Sequence, residues 1–179
     1  IHVLPSGLDW RPEALADALE RADDIWFELP PGAAAEQEVA RLATTLGILP
    51  PSRSLFELMP AADAERLMRV AASLGLPPAN LARLEPWLAE VALAGAAYQK
   101  AGADSDSGVE KAVDRMAPPE TPRRAFETPA QQIALFDQAP LAEQIASLAQ
   151  TTVELEADPE AFAKLVRAWV AGDADALDR

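Results

Sequence analysis

Three side chains able to bind metal or transfer protons stand at or near the ends of short apolar runs. They are His2, Glu28 and Glu127. The runs are predicted β-strands, and they cover residues 1–4, 25–29 and 124–127. An imidazole and two carboxylates together suit either a divalent metal or a general acid/base pair.

These three residues would lie close together if their strands were neighbours in a parallel sheet. In an α/β sheet the ligand crevice lies beyond the carboxyl ends of the strands. If the three strands are parallel neighbours, the three side chains converge on one edge. The alternative is a surface histidine and two solvated glutamates, and strand spacing by itself does not choose between the two interpretations.

Gln132 is a fourth candidate, as a binding residue. Thr128 has the character of a helix N-cap and Pro129 that of a first helical position, so Gln132 is predicted on the first turn, facing the strand end. The alternative is an exposed helix glutamine.

Helical periodicity dominates the rest of the chain. Apolar residues recur at i, i+3, i+4 and i+7, as in Val39, Leu42, Ala43 and Leu46. Glycines are predicted to end three such helices, at Gly47, Gly75 and Gly172. Short apolar runs among many helices predict a helix-dominated α/β fold, with a small central sheet flanked by helices.

Two segments are predicted to be flexible loops. Residues 101–108 (AGADSDSG) are rich in small and polar residues, and residues 118–122 (PPETP) are stiffened by prolines. Asp104 and Asp106 in the first loop could bind calcium weakly, but the other ligands of an EF-hand are missing, which favours a solvated loop.

Composition excludes several classes of function. The formal net charge of −14 would repel a nucleic-acid backbone or an anionic membrane surface, so no nucleic-acid partner is expected. The chain has no cysteine and one histidine, so it offers neither a thiolate site nor a two-histidine site. No run of 18 apolar residues is present, and no transmembrane segment is predicted.

Several stretches in order along the chain resemble the TraB/GumN family, to which the Tiki metalloproteases are related. They are residues 1–5 (IHVLP), residues 22–29 (ADDIWFEL), Pro86-Trp87, residues 126–140 (FETPAQQIALFDQAP), and Trp169 with Gly172-Asp173. The resemblance implies an α/β fold with a small central sheet and a site built from two Gly-x-x-His motifs and acidic residues. His2 matches the first histidine, Glu28 and Glu127 match strand-end acids, and Gln132 matches a recurrent family position.

The sequence departs from the family pattern in several places. The glycine of the first motif and the whole second Gly-x-x-His motif are missing, and Glu85 stands where a basic residue is common. Gly108-Val109-Glu110 replaces a Gly-Val-Asp-like stretch. We therefore expect residues 1–179 to be one domain that lacks a C-terminal portion and is incomplete at that end. This fragment is expected to carry half of a metal site and to bind no metal tightly by itself.

The resemblance leads to two functional hypotheses. The first is a metal-dependent, peptidase-like hydrolase, in which His2, Glu28 and Glu127 bind manganese or cobalt and a glutamate acts as general base. The alternative is a non-catalytic protein that binds or sequesters a peptide. Both are expected in the periplasm or cell envelope of a bacterium, and the oligomeric state stays open.

Overall fold

Helices make up most of the chain in the computed structural model, which describes residues 2–177. The helices are α1 (Glu13–Glu20), α2 (Ala33–Leu46), α3 (Leu55–Leu58), α4 (Ala61–Ser73), α5 (Pro78–Leu81), α6 (Pro86–Lys100), α7 (Val109–Met116), α8 (Pro129–Asp137), α9 (Leu141–Ala157), α10 (Ala161–Ala171) and α11 (Ala174–Leu177). The strands are β1 (Leu4–Pro5), β2 (Ile25–Phe27), β3 (Ala103–Asp104) and β4 (Arg123–Ala125). The predicted helix-dominated α/β fold is confirmed.

Three of the long helices, α4, α6 and α9, meet in one core through their buried side chains. Leu67 of α4, Leu93 of α6 and Leu148 of α9 are each 0% exposed and belong to one buried cluster. The short helices α3 and α5 add Leu55 and Leu81 to it. This core lies among the helices, and the strands are outside it.

All three predicted glycines follow the ends of their helices, but only two of them through a left-handed backbone conformation. Gly75 and Gly172 follow α4 and α10 with φ of 77° and 67°, the left-handed region that favours glycine. Gly47 has φ of −88°, which any residue adopts, so the reason for this glycine is different. A Cβ there would lie 2.5 Å from Leu88 Cδ2 and 2.9 Å from Trp87 Cζ2, so Gly47 permits α6 to pack closely.

The strands form two separate pairs instead of one set of three neighbours. β2 and β4 are parallel, with Trp26 opposite Arg124, as the sequence suggested for these two runs. β1 instead pairs antiparallel with β3, and Leu4 lies opposite Asp104. The first predicted strand is therefore not a neighbour of the other two, because its backbone hydrogen bonds go to another segment.

The segment predicted as a first flexible loop, residues 101–108, contains β3 and a 3₁₀ turn at Ser105–Ser107. Asp104 caps this turn by accepting a hydrogen bond from the Asp106 N–H, at 3.0 Å. Asp106 also pairs with Lys111, with Nζ to Oδ1 at 3.0 Å. Both carboxylates thus take part in local structure.

The side chain of Arg123 holds the proline-rich segment 118–122 in place through hydrogen bonds. The Arg123 guanidinium donates to the carbonyl oxygens of Pro118, at 2.5 Å, and Thr121, at 2.6 Å, and its Nε donates to Asp114, at 3.0 Å. These bonds fix the approach of the chain to β4.

Among residues 2–177, no helix combines the length and the apolar composition that crossing a bilayer demands.

Candidate functional site

The imidazole of His2 lies between two carboxylates. Its Nδ1 is 3.2 Å from Glu110 Oε1, and its Nε2 is 3.7 Å from Glu28 Oε2. The side chain of His2 is 68% exposed, so solvent and small ligands reach the ring. The three residues come from the segment before β1, the end of β2 and the first turn of α7.

Gln132 contacts the other side of Glu28. Its Nε2 donates a short hydrogen bond to Glu28 Oε1. Helix α8 presents this side chain because Thr128 and Gln131 form a capping box, in which the Gln131 N–H donates to Thr128 Oγ1 at 3.2 Å. Gln132 therefore faces back to the strand end, where the first-turn position predicted it.

Glu127 is linked to the same place through its backbone. Its N–H donates to the carbonyl oxygen of Glu28, at 3.0 Å. Strand β4 ends at Ala125, so Glu127 lies in the bend before α8 and not at the strand end itself. Within residues 2–177, no three His, Asp or Glu side chains converge closely enough to hold a metal ion.

Glu110 is the member of this cluster that sequence reasoning did not select. It is the second residue of α7, where the helix N-terminus favours a negative charge. In the sequence it stood out only as the acid of Gly108-Val109-Glu110. Its role depends on a contact with His2, more than a hundred residues away in sequence, and local residue spacing does not reveal such a contact.

Gly108 makes the contact between α7 and His2 possible. A Cβ at this position would lie 2.2 Å from the carbonyl oxygen of His2 and 2.7 Å from its carbonyl carbon. The residue itself has φ of −60° and ψ of 153°, which other residues adopt freely. Glycine is required here for space and not for its conformational freedom.

The two members of the His2–Glu110 contact shift each other's pKa. The hydrogen bond to Glu110 raises the pKa of His2 above its ordinary 6.5, with a further contribution from the charge of Glu28. The same hydrogen bond lowers the pKa of Glu110 from 4.5 to about 2, against the effect of its partial burial. A protonated imidazole beside an ionised Glu110 is therefore the favoured state at mildly acidic pH.

The stability that this contact provides should decrease at both high and low pH. The raised pKa of His2 gives stability that is present below pH 6.5 and is lost as the pH rises through the folded-state pKa. The lowered pKa of Glu110 gives stability that is present above pH 4.5 and is lost as the pH falls toward 2. We expect the His2 resonance, the single histidine signal in an NMR titration, to report a pKa above 6.5.

Glu110→Gln should move that NMR pKa back down, because the partner charge is removed. Glu143→Gln, a change at an exposed position on α9, is the matched control and should leave it in place. An unchanged His2 pKa in the Glu110 variant would show that the contact does not exist in solution.

The fold and this cluster define a helix-rich α/β domain with an imidazole and carboxylates where β2 ends. The chain belongs to the TraB/PrgY/gumN family, whose family model matches residues 1–179. The resemblance drawn from the sequence motifs is thereby confirmed. Comparisons with curated proteins and with solved structures gave no match.

Proposed function

We propose that this chain contributes to a metal-dependent hydrolase that acts on peptides, with His2 and Glu28 as metal ligands. The observation that carries the proposal is the placement of one carboxylate on each nitrogen of the His2 ring. On the family resemblance alone, we propose manganese or cobalt as the ion and the periplasm or cell envelope as the location.

The pair His2 and Glu28 fits a shared ion in its spacing. Two ligands that are each about 2.1 Å from one ion lie roughly 3.0–3.4 Å apart. The distance of 3.7 Å from His2 Nε2 to Glu28 Oε2 is slightly longer, and small side-chain rotations would remove the difference. Two ligands are half of a protein-built site, so water or further residues would complete it.

Glu110 fits the role of an orienting carboxylate. Histidines that bind metals through one nitrogen usually give the other N–H to a carboxylate or carbonyl, which fixes the ring and makes it a better donor. Glu110 accepts in this way at Nδ1, at 3.2 Å, and leaves Nε2 directed to Glu28. Gln132 orients Glu28 in a similar way, because its Nε2 donates a hydrogen bond to Glu28 Oε1.

The remaining roles in the proposal concern protons. A divalent ion held there would polarise a peptide carbonyl and make a water molecule more acidic. Glu28 is engaged by His2 and Gln132, so we assign the role of general base to Glu127, which is tied to the Glu28 backbone.

A second candidate function, peptide binding without catalysis, is favoured by a different feature. A groove of about 550 Å³ runs along α6, α9 and α10 and is mostly apolar. Its aromatic and aliphatic walls include Trp87, Val91, Tyr98, Phe136, Phe162 and Leu165. A groove of this composition would bind apolar peptide side chains without any metal.

Manganese titration by calorimetry tests the hydrolase proposal. We expect weak but measurable binding by the wild type, because two ligands are half of a site, and a further loss of at least about tenfold in His2→Ala or Glu28→Gln, since each removes a proposed ligand. Glu127→Gln should leave manganese affinity nearly unchanged but abolish manganese-dependent cleavage of a peptide library. Glu143→Gln is the control for the loss of a surface carboxylate.

Two results would contradict the proposal. One is absence of manganese and cobalt binding in the wild type. The other is an equal loss of affinity in the Glu28 and Glu143 variants, which would indicate binding by general surface charge. Peptide binding that persists in the first case would favour sequestration instead.

A further inference from the structure

An exposed pair of aromatic rings lies beside the candidate site. The rings of Trp26 and Phe126 are 4.9 Å apart between centroids and tilted by 30°. Trp26 is 49% exposed and Phe126 is 72% exposed. Single exposed apolar rings are common on protein surfaces, whereas contiguous exposed apolar patches are typical of contact sites.

The indole of Trp26 is fixed in place although it is exposed. Its Nε1–H donates to Asp24 Oδ1, at 3.2 Å, and Arg124 Nε donates to Asp24 Oδ2, at 2.7 Å. The guanidinium of Arg124 also lies over the indole, 5.8 Å from its centroid. Asp24 therefore holds both the ring and the cation that covers part of it.

The aromatic pair is built on the same two segments as the candidate site. Trp26 precedes Glu28 by two residues on β2, and Phe126 directly precedes Glu127 after β4. The backbone connects these segments once more, since Phe126 N–H donates to the carbonyl oxygen of Phe27, at 3.0 Å. The rings are therefore carried by the same backbone segments as Glu28 and Glu127.

The polar groups around the rings decide which ligand suits them. The indole N–H and Arg124 Nε each donate to one oxygen of Asp24, so these polar groups are partnered within the protein without a ligand. Asp24 and Arg124 also cancel each other's charge in a chain with a formal net charge of −14. The surface that remains is uncharged and aromatic, which is complementary to an uncharged aromatic side chain.

We propose that Trp26 and Phe126 form a subsite that binds an aromatic side chain of a peptide substrate next to Glu28. This assignment rests on the proposed function for its substrate class. It adds a specificity that the metal ligands do not provide. The subsite itself needs no metal and no turnover, so it can be tested separately from catalysis.

The test uses two capped hexapeptides of serine and alanine that differ at one central position, phenylalanine in one and alanine in the other. Binding is followed by NMR through the tryptophan indole N–H signals without metal, and Trp26→Phe assigns the Trp26 signal. We expect the phenylalanine peptide to shift that signal and the alanine peptide to leave it in place. Phe126→Ala should weaken the binding about three- to tenfold.

Leu135→Ala is the matched control. Leu135 is 68% exposed, close to the 72% of Phe126, and lies on α8 outside both the aromatic pair and the lining of the apolar groove. This variant should bind the phenylalanine peptide as the wild type does. Thermal unfolding of each variant shows that it is folded.

Several outcomes would overturn the proposal. They are no shift of the Trp26 signal, equal shifts by both peptides, or an equal loss of affinity in the Phe126 and Leu135 variants. A wild-type dimer that Phe126→Ala converts to a monomer would also overturn it, because the rings would then be a self-association surface. Failure of manganese binding would contradict the hydrolase proposal and leave these peptide results intact.

Discussion

Gly108→Ala is expected to separate His2 from Glu110 and so to dismantle the candidate site from a distance. The added Cβ would lie 2.2 Å from the His2 carbonyl oxygen, a backbone atom that cannot rotate away. Either the segment before β1 or the start of α7 must move. A movement of about 1 Å would already take the 3.2 Å contact of His2 Nδ1 outside hydrogen-bond range.

Two measurements check this expectation. The NMR pKa of His2 should fall back toward 6.5 because its carboxylate partner is lost. The free energy of unfolding should decrease by about 1–3 kcal/mol, the usual cost of overpacking.

Gly95→Ala is the matched control, within α6. A Cβ there meets no atom within 4 Å, so the same substitution should increase the free energy of unfolding by about 0.5–1 kcal/mol through helix propensity. A Gly108 variant that keeps the raised His2 pKa would show that the close approach in the structure does not exist.

Leu93→Ala is expected to cause the largest loss of stability. Leu93 is 0% exposed and packs in the buried cluster where α4, α6 and α9 meet. Truncation of such a leucine costs about 2–5 kcal/mol through lost burial and the remaining cavity. Since the free energy of unfolding of a domain is only about 5–15 kcal/mol, a loss of this size should lower the urea midpoint sharply.

Val91→Ala on the same helix provides the comparison. Val91 is 49% exposed, so its truncation should change the free energy of unfolding by about 0.5 kcal/mol or less. Similar urea midpoints for the two variants would contradict the placement of the core on the Leu93 side of α6.

Local spacing was enough to predict the helices and part of the site. Leu67, Val70 and Ala71 recur in the sequence at helical spacing, and all three are buried in α4, so this spacing is enough to identify the side of the helix that faces the core. The contact between Gln132 and Glu28 was also within reach, because a capped helix begins directly after a strand that is parallel to β2. These features depend on residues close in sequence or on a common rule for parallel strands.

The features that local spacing did not predict all depend on distant segments. The pairing of β1 with β3 joins Leu4, the last residue of a predicted strand, to Ala103-Asp104, which lie in a segment predicted as a loop. The role of Glu110 follows from that pairing, since it brings His2 to α7. The sequence pattern explained Gly47 by the backbone conformation at a helix end. The positions of Trp87 and Leu88 show instead that a side chain at this position would clash with α6.

The strand pairing also determines when the cluster around His2 can exist. Leu4 pairs with Asp104 and Ile25 pairs with Arg123, so each pair joins segments that are separated in sequence by helices α2 to α6. Both long loops must be closed before the imidazole meets its two carboxylates, and loop closure is entropically unfavourable. The single histidine therefore reports on folding, because the largest cause of its raised pKa is Glu110, which it meets where the pairing of β1 with β3 brings it to α7.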